Sequence, residues 1–265
     1  LLFPTAAADC LDNERFKLIW KIQPFIDRGL IKVYSCESVN GDSWLSPTAH
    51  PLEKSRLQAQ YDRYLLEELL PAISQDCAGV RGMIAAGASL GAYNALTITT
   101  KHPEWFRGCI AMSGTYDFDR WMDGHVDQNY YYNQPMYYLG NLTEGPQLQR
   151  IRQNTTIVAS GTGRYEAPDE SERIVNLLHS KGVHNAQLEL WGPDAHHDWP
   201  TWRTMLPNFL FGPGDLAIPL GQDGLVRCRI QMDKIGHFFF SIAQPPQTDS
   251  TAYGEYETRR DEFRE

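Results

Sequence analysis

Residues 84–96 read IAAGASLGAYNAL. An apolar run with strand character enters Gly87-Ala88-Ser89-Leu90-Gly91, and a helical pattern leaves it. G-x-S-x-G alone is a weak signal, because small residues gather in many turns. Between a strand and a helix it reads as a nucleophile elbow, a tight turn that lifts a serine hydroxyl above the carboxyl edge of a sheet. The glycines two residues either side let strand and helix approach closely. The N–H of Leu90, at the helix start, then points where an oxyanion would develop. Ser89 is the candidate nucleophile.

Around this stretch, short apolar runs alternate with helical ones from residue 1 to about 211. The predicted strands are LLF at 1–3, IKVYSC at 31–36, GMIAAG at 82–87, GCIAMSG at 108–114, TIVASG at 156–161 and AQLELWG at 186–192. The predicted helices cover 56–73, 90–103, 169–182 and 200–210. In the first of them Leu57, Tyr61, Tyr64, Leu65 and Leu69 recur at three- and four-residue steps. Gly182 suits a C-cap and Pro200 a first helical turn. Such alternation predicts an α/β fold, a mainly parallel sheet with helices on both faces. Residues 119–148, rich in Tyr, Asn, Gly and Pro and without a clean period, are expected to form an ordered insertion over one end of the sheet. This assigns 1–211 to one domain. Residues 212–265 read as a linker, a hairpin of LVRCRIQ and HFFFSIAQ, and a polar tail. No internal repeat is evident.

Bulk composition narrows the function classes. With 265 residues, 42% hydrophobic and 22% charged, the chain has the make-up of a globular protein with a proper core. A net charge of -9 argues against a nucleic-acid surface, which needs clustered Lys and Arg. No apolar run approaches the ~18 residues of a membrane-spanning helix. The sequence opens at Leu1 with no basic-then-apolar leader, so export is not readable from it. Cys10, Cys36, Cys77, Cys109 and Cys228 are scattered, with no C-x-x-C pair, which suits neither a disulfide framework nor a zinc site. Cys36 and Cys109, inside apolar runs, read as buried thiols. Reduced, structural cysteines favour a cytoplasmic over a secreted setting, and the glycosylation patterns at Asn141 and Asn154 carry no weight without evidence of secretion.

A serine hydroxyl needs a base, and the base an orienting carboxylate. With an elbow of this kind the expected chain order is Ser, acid, His. TIVASGTGRYEAPDE offers Glu166, Asp169 and Glu170 after a strand beyond the elbow. Asp169 and Glu170 open the next helix, where acidic residues are expected for capping and dipole reasons alone. Glu166 lies in the loop itself. After the last strand comes WGPDAHHDWP, residues 191–200, with Asp198 suited to cap the following helix and Asp194 to brace the loop. Spacing leaves His196 and His197 equally placed. For a second oxyanion donor, FPTAAAD at 3–9 follows the first apolar run with small side chains that let backbone N–H groups reach a substrate.

In order along residues 1–211 the chain resembles the esterase family of the α/β-hydrolase fold, which includes S-formylglutathione hydrolases, feruloyl esterases and mycobacterial mycolyltransferases. The resemblance is carried by FPTAAA, GDSW at 41–44, GASLGAY at 87–93, YYNQPMYYLGNL at 131–142, GTGRYE at 161–166 and HDWPTW at 197–202. It implies an α/β-hydrolase fold with Ser89 as nucleophile, Glu166 as acid and His197, which opens the H-D-W match, as base. It also implies Leu90 as one oxyanion N–H donor and the loop after the first strand as the source of the second, Ala6 first and Ala7 as the alternative. Ala7 and Ala8 stand where the family pattern has a glycine pair. A donor there needs glycine only if φ is positive. Tyr132 of the insertion and Tyr93 beside the elbow are the candidate substrate contacts, with Ala7.

The expected activity is hydrolysis of a small-molecule carboxylic ester through an acyl-enzyme, with no metal or organic cofactor and no nucleic-acid or membrane partner. Two alternatives use the same residues differently: an acyltransferase in which an alcohol or amine replaces water, and a catalytically idle hydrolase-fold domain of a larger protein.

Overall fold

The computed structural model describes residues 1–79, 82–211, 229–232 and 238–241. Five parallel strands lie side by side in chain order: β1 (Leu2–Phe3), β2 (Met83–Ala88), β3 (Phe106–Met112), β4 (Thr155–Ser160) and β5 (Ala186–Leu190). Because every neighbour pair is parallel, the carboxyl ends of all five strands share one edge of the sheet. That edge receives the elbow from β2 and the loops that follow β1, β3, β4 and β5.

Helices cover both faces, so successive strand residues are buried against different cores. Phe3, Ala85, Cys109, Ala111 and Val158 belong to one apolar cluster. Its helical partners are α3 (Pro51–Tyr64), α4 (Leu70–Asp76), α5 (Leu90–Lys101) and α9 (Pro168–Ser180). Leu2, Ala86, Ala88, Ile110, Met112, Ile157 and Ala159 belong to a second, packed by α2 (Leu18–Asp27) and α10 (Trp199–Phe211). A short α1 (Asp12–Arg15) leads into α2. The helix expected at 56–73 starts earlier and runs from α3 through a π-helical turn, Leu65–Leu69, into α4. Pro71 explains the wide turn. It lacks an N–H and its ring crowds the carbonyl four residues back, so the backbone opens by one residue to pass it.

Two expectations need correction or refinement. IKVYSC does not extend the sheet as a strand. Tyr34 and Cys36 exchange backbone hydrogen bonds with Leu2, but only a single bridge, Leu2 to Ser35, forms. A two-residue β1 has no more ladder to offer. The insertion is built from a 3-10 turn (Asp119–Trp121), α6 (Gln128–Asn133) and α7 (Pro135–Tyr138), followed by α8 (Pro146–Ile151). Met122 and Tyr130 from it, with Phe118 just before it, join Trp44, Leu90 and Tyr93 in a third buried cluster. Beyond α10, β6 (Arg229–Met232) and β7 (Phe238–Ser241) pair antiparallel. The predicted linker and polar tail lie outside the described residues.

Candidate active site

Ser89 sits between β2 and α5 with φ 57° and ψ -125°. This sparsely populated conformation costs a non-glycine residue roughly 1–3 kcal/mol and persists only where its surroundings impose it. They do so through the flanking glycines. A Cβ on Gly87 would run into the Gly91 carbonyl. One on Gly91 would stand 2.6 Å from the Pro4 oxygen and 2.8 Å from that of Phe3. Gly91 thereby brings the loop leaving β1 against the first turn of α5. The N–H of Leu90, the first helical residue, has no intrahelical partner and lies at the positive end of the helix dipole.

The loop after β1 is anchored from below. Thr5 donates through both N (3.0 Å) and Oγ1 (2.8 Å) to the buried Asp12 carboxylate, and Ala8 N closes a turn on Thr5 O at 3.0 Å. The positive φ of this loop falls on Ala6, at 38°, and not on Ala7 or Ala8. Ala7 instead packs its Cβ toward Gly41 of the GDSW stretch, whose own Cβ would come within 3.0 Å.

Across the sheet edge, His197 Nε2 lies 3.1 Å from Ser89 Oγ, and His197 Nδ1 lies 3.4 Å from Glu166 Oε2. The Glu166 side chain is fully buried while His197 keeps a quarter of its surface. Burial alone would push the Glu166 carboxyl up. Hydrogen bonds from His197 and Ser113, the charge of His197 and the Gly161 N–H more than offset this and hold it below the usual carboxylate range. Asp169 is exposed at the start of α9. Glu170 faces elsewhere, accepting from Tyr116 N at 2.6 Å and Asp117 N at 3.3 Å.

The structure separates the two histidines that spacing left equal. His196 accepts at Nδ1 from Arg164 N, 2.9 Å, while His197 N donates to Arg164 O at 3.1 Å and Gly163 N to Ala195 O at 3.0 Å. These bonds clamp the loop after β4 to the loop after β5. Gly161 and Gly163 permit the clamp, since a Cβ on either would overlap Ala195 O or the His196 ring. Asp198 accepts from Trp199 N at 2.7 Å, next to the start of α10.

Neither tyrosine named from sequence meets the Ser89–His197–Glu166 chain. Tyr93 is 1% exposed, donates to Asn133 O at 2.8 Å and is a core residue with no surface for a substrate. Tyr132 lines a cavity of about 370 Å³ with Ala59, Asp62 and Lys101, at the opposite end of α5 from Ser89. The sequence reading missed Ser113 and Ser160, whose hydroxyls donate to Glu166 at 2.7 and 3.2 Å, and Trp202, whose Nε1 donates to Ser113 Oγ at 2.9 Å. Of these, only Trp202 had a local cue, its place in HDWPTW.

A protein-family model described as "Putative esterase" matches residues 34–210, well over half of the chain. The chain belongs to this family. Among solved structures, a ferulic acid esterase is 19% identical, with 77% of this chain matched to 80% of its own at a TM-score of 0.53. FphF, a fluorophosphonate-binding serine hydrolase of Staphylococcus aureus solved with substrate bound, is 16% identical over 77% of this chain and 78% of its own, at a TM-score of 0.50. At such identity both likenesses concern the fold, which is that of the α/β-hydrolase esterases. Curated protein sequences gave no match. No described helix is long and apolar enough to cross a membrane.

Proposed function

We propose that this esterase-family protein hydrolyses a carboxylic ester with Ser89 as nucleophile, His197 as general base and acid, and Glu166 as the carboxylate that orients the imidazole. The observation that carries the reading is the continuous chain Ser89 Oγ–His197 Nε2 and His197 Nδ1–Glu166 Oε2. Glu166 accepts, so Nδ1 bears the proton and Nε2 is free to take one from Ser89. Ser89 Oγ forms a bond to the ester carbonyl carbon as its proton passes to Nε2. The carbonyl oxygen becomes an oxyanion, which the N–H groups of Leu90 and Ala6 stabilise; one such donor contributes roughly 2.7–4 kcal/mol to the barrier in comparable enzymes. His197 returns the proton to the leaving alkoxide oxygen as the C–O bond breaks. Water, deprotonated by the same nitrogen, then releases the acid and restores Ser89.

The buried, charge-stabilised state of Glu166 supports the reading, because a carboxylate held ionised stabilises the imidazolium of each tetrahedral intermediate. The test is turnover of an activated acetate ester together with labelling by a fluorophosphonate probe. Ser89→Ala is expected to abolish both, His197→Ala to abolish turnover, and His196→Ala to retain it. Labelling that survives in Ser89→Ala, or activity lost in His196→Ala but kept in His197→Ala, would sink the assignment.

A further inference from the structure

Ser113 follows β3 on the carboxyl edge of the sheet, 3% exposed, with its N–H bonded to Ala159 O at 2.6 Å. Its φ is 50°, a left-handed value that a non-glycine residue seldom takes. That backbone directs the hydroxyl to a point between two buried groups: Glu166 Oε1 at 2.7 Å and Trp202 Nε1 at 2.9 Å. An indole N–H only donates. Ser113 Oγ must therefore accept from Trp202, and its single proton is committed to the carboxylate. Ser160 is different, because its hydroxyl divides between Gly161 O at 3.0 Å and Glu166 Oε2 at 3.2 Å. Ser113 thus occupies Oε1 and leaves Oε2 to face His197 Nδ1. The same indole also braces the imidazole, ring edge against ring face, with centroids 5.1 Å apart and planes at 85°. Trp202 is itself 4% exposed and packed in the second core.

From this arrangement we infer that Ser113 and Trp202 form a positioning relay, in which the indole N–H fixes the direction of the Ser113 hydroxyl and that hydroxyl fixes which carboxylate oxygen orients His197. The relay rests on the reading of Glu166 and His197 given above, but acts through them and touches no substrate. A one-way chain has a signature that two independent packing residues lack. The indole N–H reaches Glu166 by way of Ser113, so with an aromatic ring kept against His197 its removal has no further effect once the hydroxyl is gone.

The test compares Ser113→Ala, Trp202→Phe, which keeps an aromatic ring against His197, and the double variant in the full chain. Two quantities are read: kcat and KM for an activated acetate ester, and the low-field proton resonance of the His197–Glu166 hydrogen bond. Ser113→Ala is expected to lower kcat by about 10–100-fold, the range seen when outer hydrogen-bond partners of metal-bound histidines are removed, with KM little changed. It should also shift or erase the resonance. Trp202→Phe should do the same more weakly, and the double variant should match Ser113→Ala alone. Multiplicative losses in the double variant, or a resonance unmoved by Ser113→Ala, would overturn the relay. A wild-type protein that shows the resonance and its response to Ser113→Ala but turns over no ester would reject esterase activity and leave the relay standing.

Discussion

At the scale of single residues, the site is held by backbone conformations that its side chains do not favour. Ser89 (φ 57°), Ser113 (φ 50°) and Ala6 (φ 38°) all lie on the left-handed side, one each after β2, β3 and β1. For Ser89 and Ser113 the side chain is the reason, since each hydroxyl has a fixed partner. Ala6 has no such reason. It is exposed and its methyl group contributes only steric cost, roughly 1–2 kcal/mol for an L-residue held in this region. Ala6→Gly should therefore stabilise the fold by up to about 1 kcal/mol, the conformational gain being partly cancelled by the freer unfolded glycine. Ester turnover should stay within a few-fold of wild type, since the N–H is unchanged. Urea midpoints and kcat report both. A midpoint that falls by the equivalent of more than about 1 kcal/mol would mean that the methyl group packs and is not strained. The loop's departure from a glycine-rich pattern was visible in the sequence, but the position bearing the positive φ was not. Dihedral angles of an alanine run leave no trace in its composition.

At the scale of elements, the acid and base loops form one clamped unit. Gly161 lies where β4 ends and carries its Cα against the Ala195 carbonyl. Any side chain there must separate the loop of Glu166 from that of His197. Gly161→Ala should cost about 1–3 kcal/mol, as overpacking generally does, and should lower kcat well beyond what that loss explains. Gly192 sits in the same histidine loop with nothing within 4 Å of its would-be Cβ. Gly192→Ala is the matched control, expected within about 0.5 kcal/mol and with unchanged turnover. Equal effects of the two substitutions on kcat would refute the clamp. Much of this level was legible in the sequence. Strands rich in Ala, Ile and Val between helical stretches announced the parallel sheet, and the loop after the fourth of them offered Glu166, though the close approach of Gly161 to Ala195 was not read from it. What stayed hidden lacked end signals or local partners. Helix α2 has an apolar face but contains Pro24 and is preceded by Lys17 in a left-handed conformation with no side-chain cap. Ser113 meets Glu166 across 53 residues of chain and Trp202 across 89, contacts that only the folded sheet brings about.

At the scale of the whole molecule, buried carboxylates tie stability to pH, and the direction follows from which way each is displaced. For Asp62 of α3, burial pushes the carboxyl up, but His102 and Lys101, at the C-terminal end of α5, more than offset it and hold it low; Lys101 Nζ lies 2.8 Å away. Glu166, near the other end of α5, is held low in the same way by His197 and Ser113. A carboxyl whose folded-state value is depressed binds protons more readily when unfolded. Its contribution is present above the unfolded value, near 4.5 for Glu166, and is lost as pH falls through the folded one. Glu170 is displaced the other way, because burial outweighs the two N–H bonds it accepts. Its contribution is present below the unfolded value and lost as pH rises through the raised folded one. Unfolding midpoints in urea should therefore decline from about pH 5 downward. Glu166→Gln should flatten that decline, and Glu170→Gln should steepen its upper part, near and above pH 4.5, by removing an opposing term. Only slopes against pH are compared, so the constant cost of either amide drops out. Parallel slopes for wild type and Glu166→Gln would show that the acid of the site titrates alike in the folded and unfolded chain. That result would remove the electrostatic support for its role as a carboxylate held ionised beneath His197.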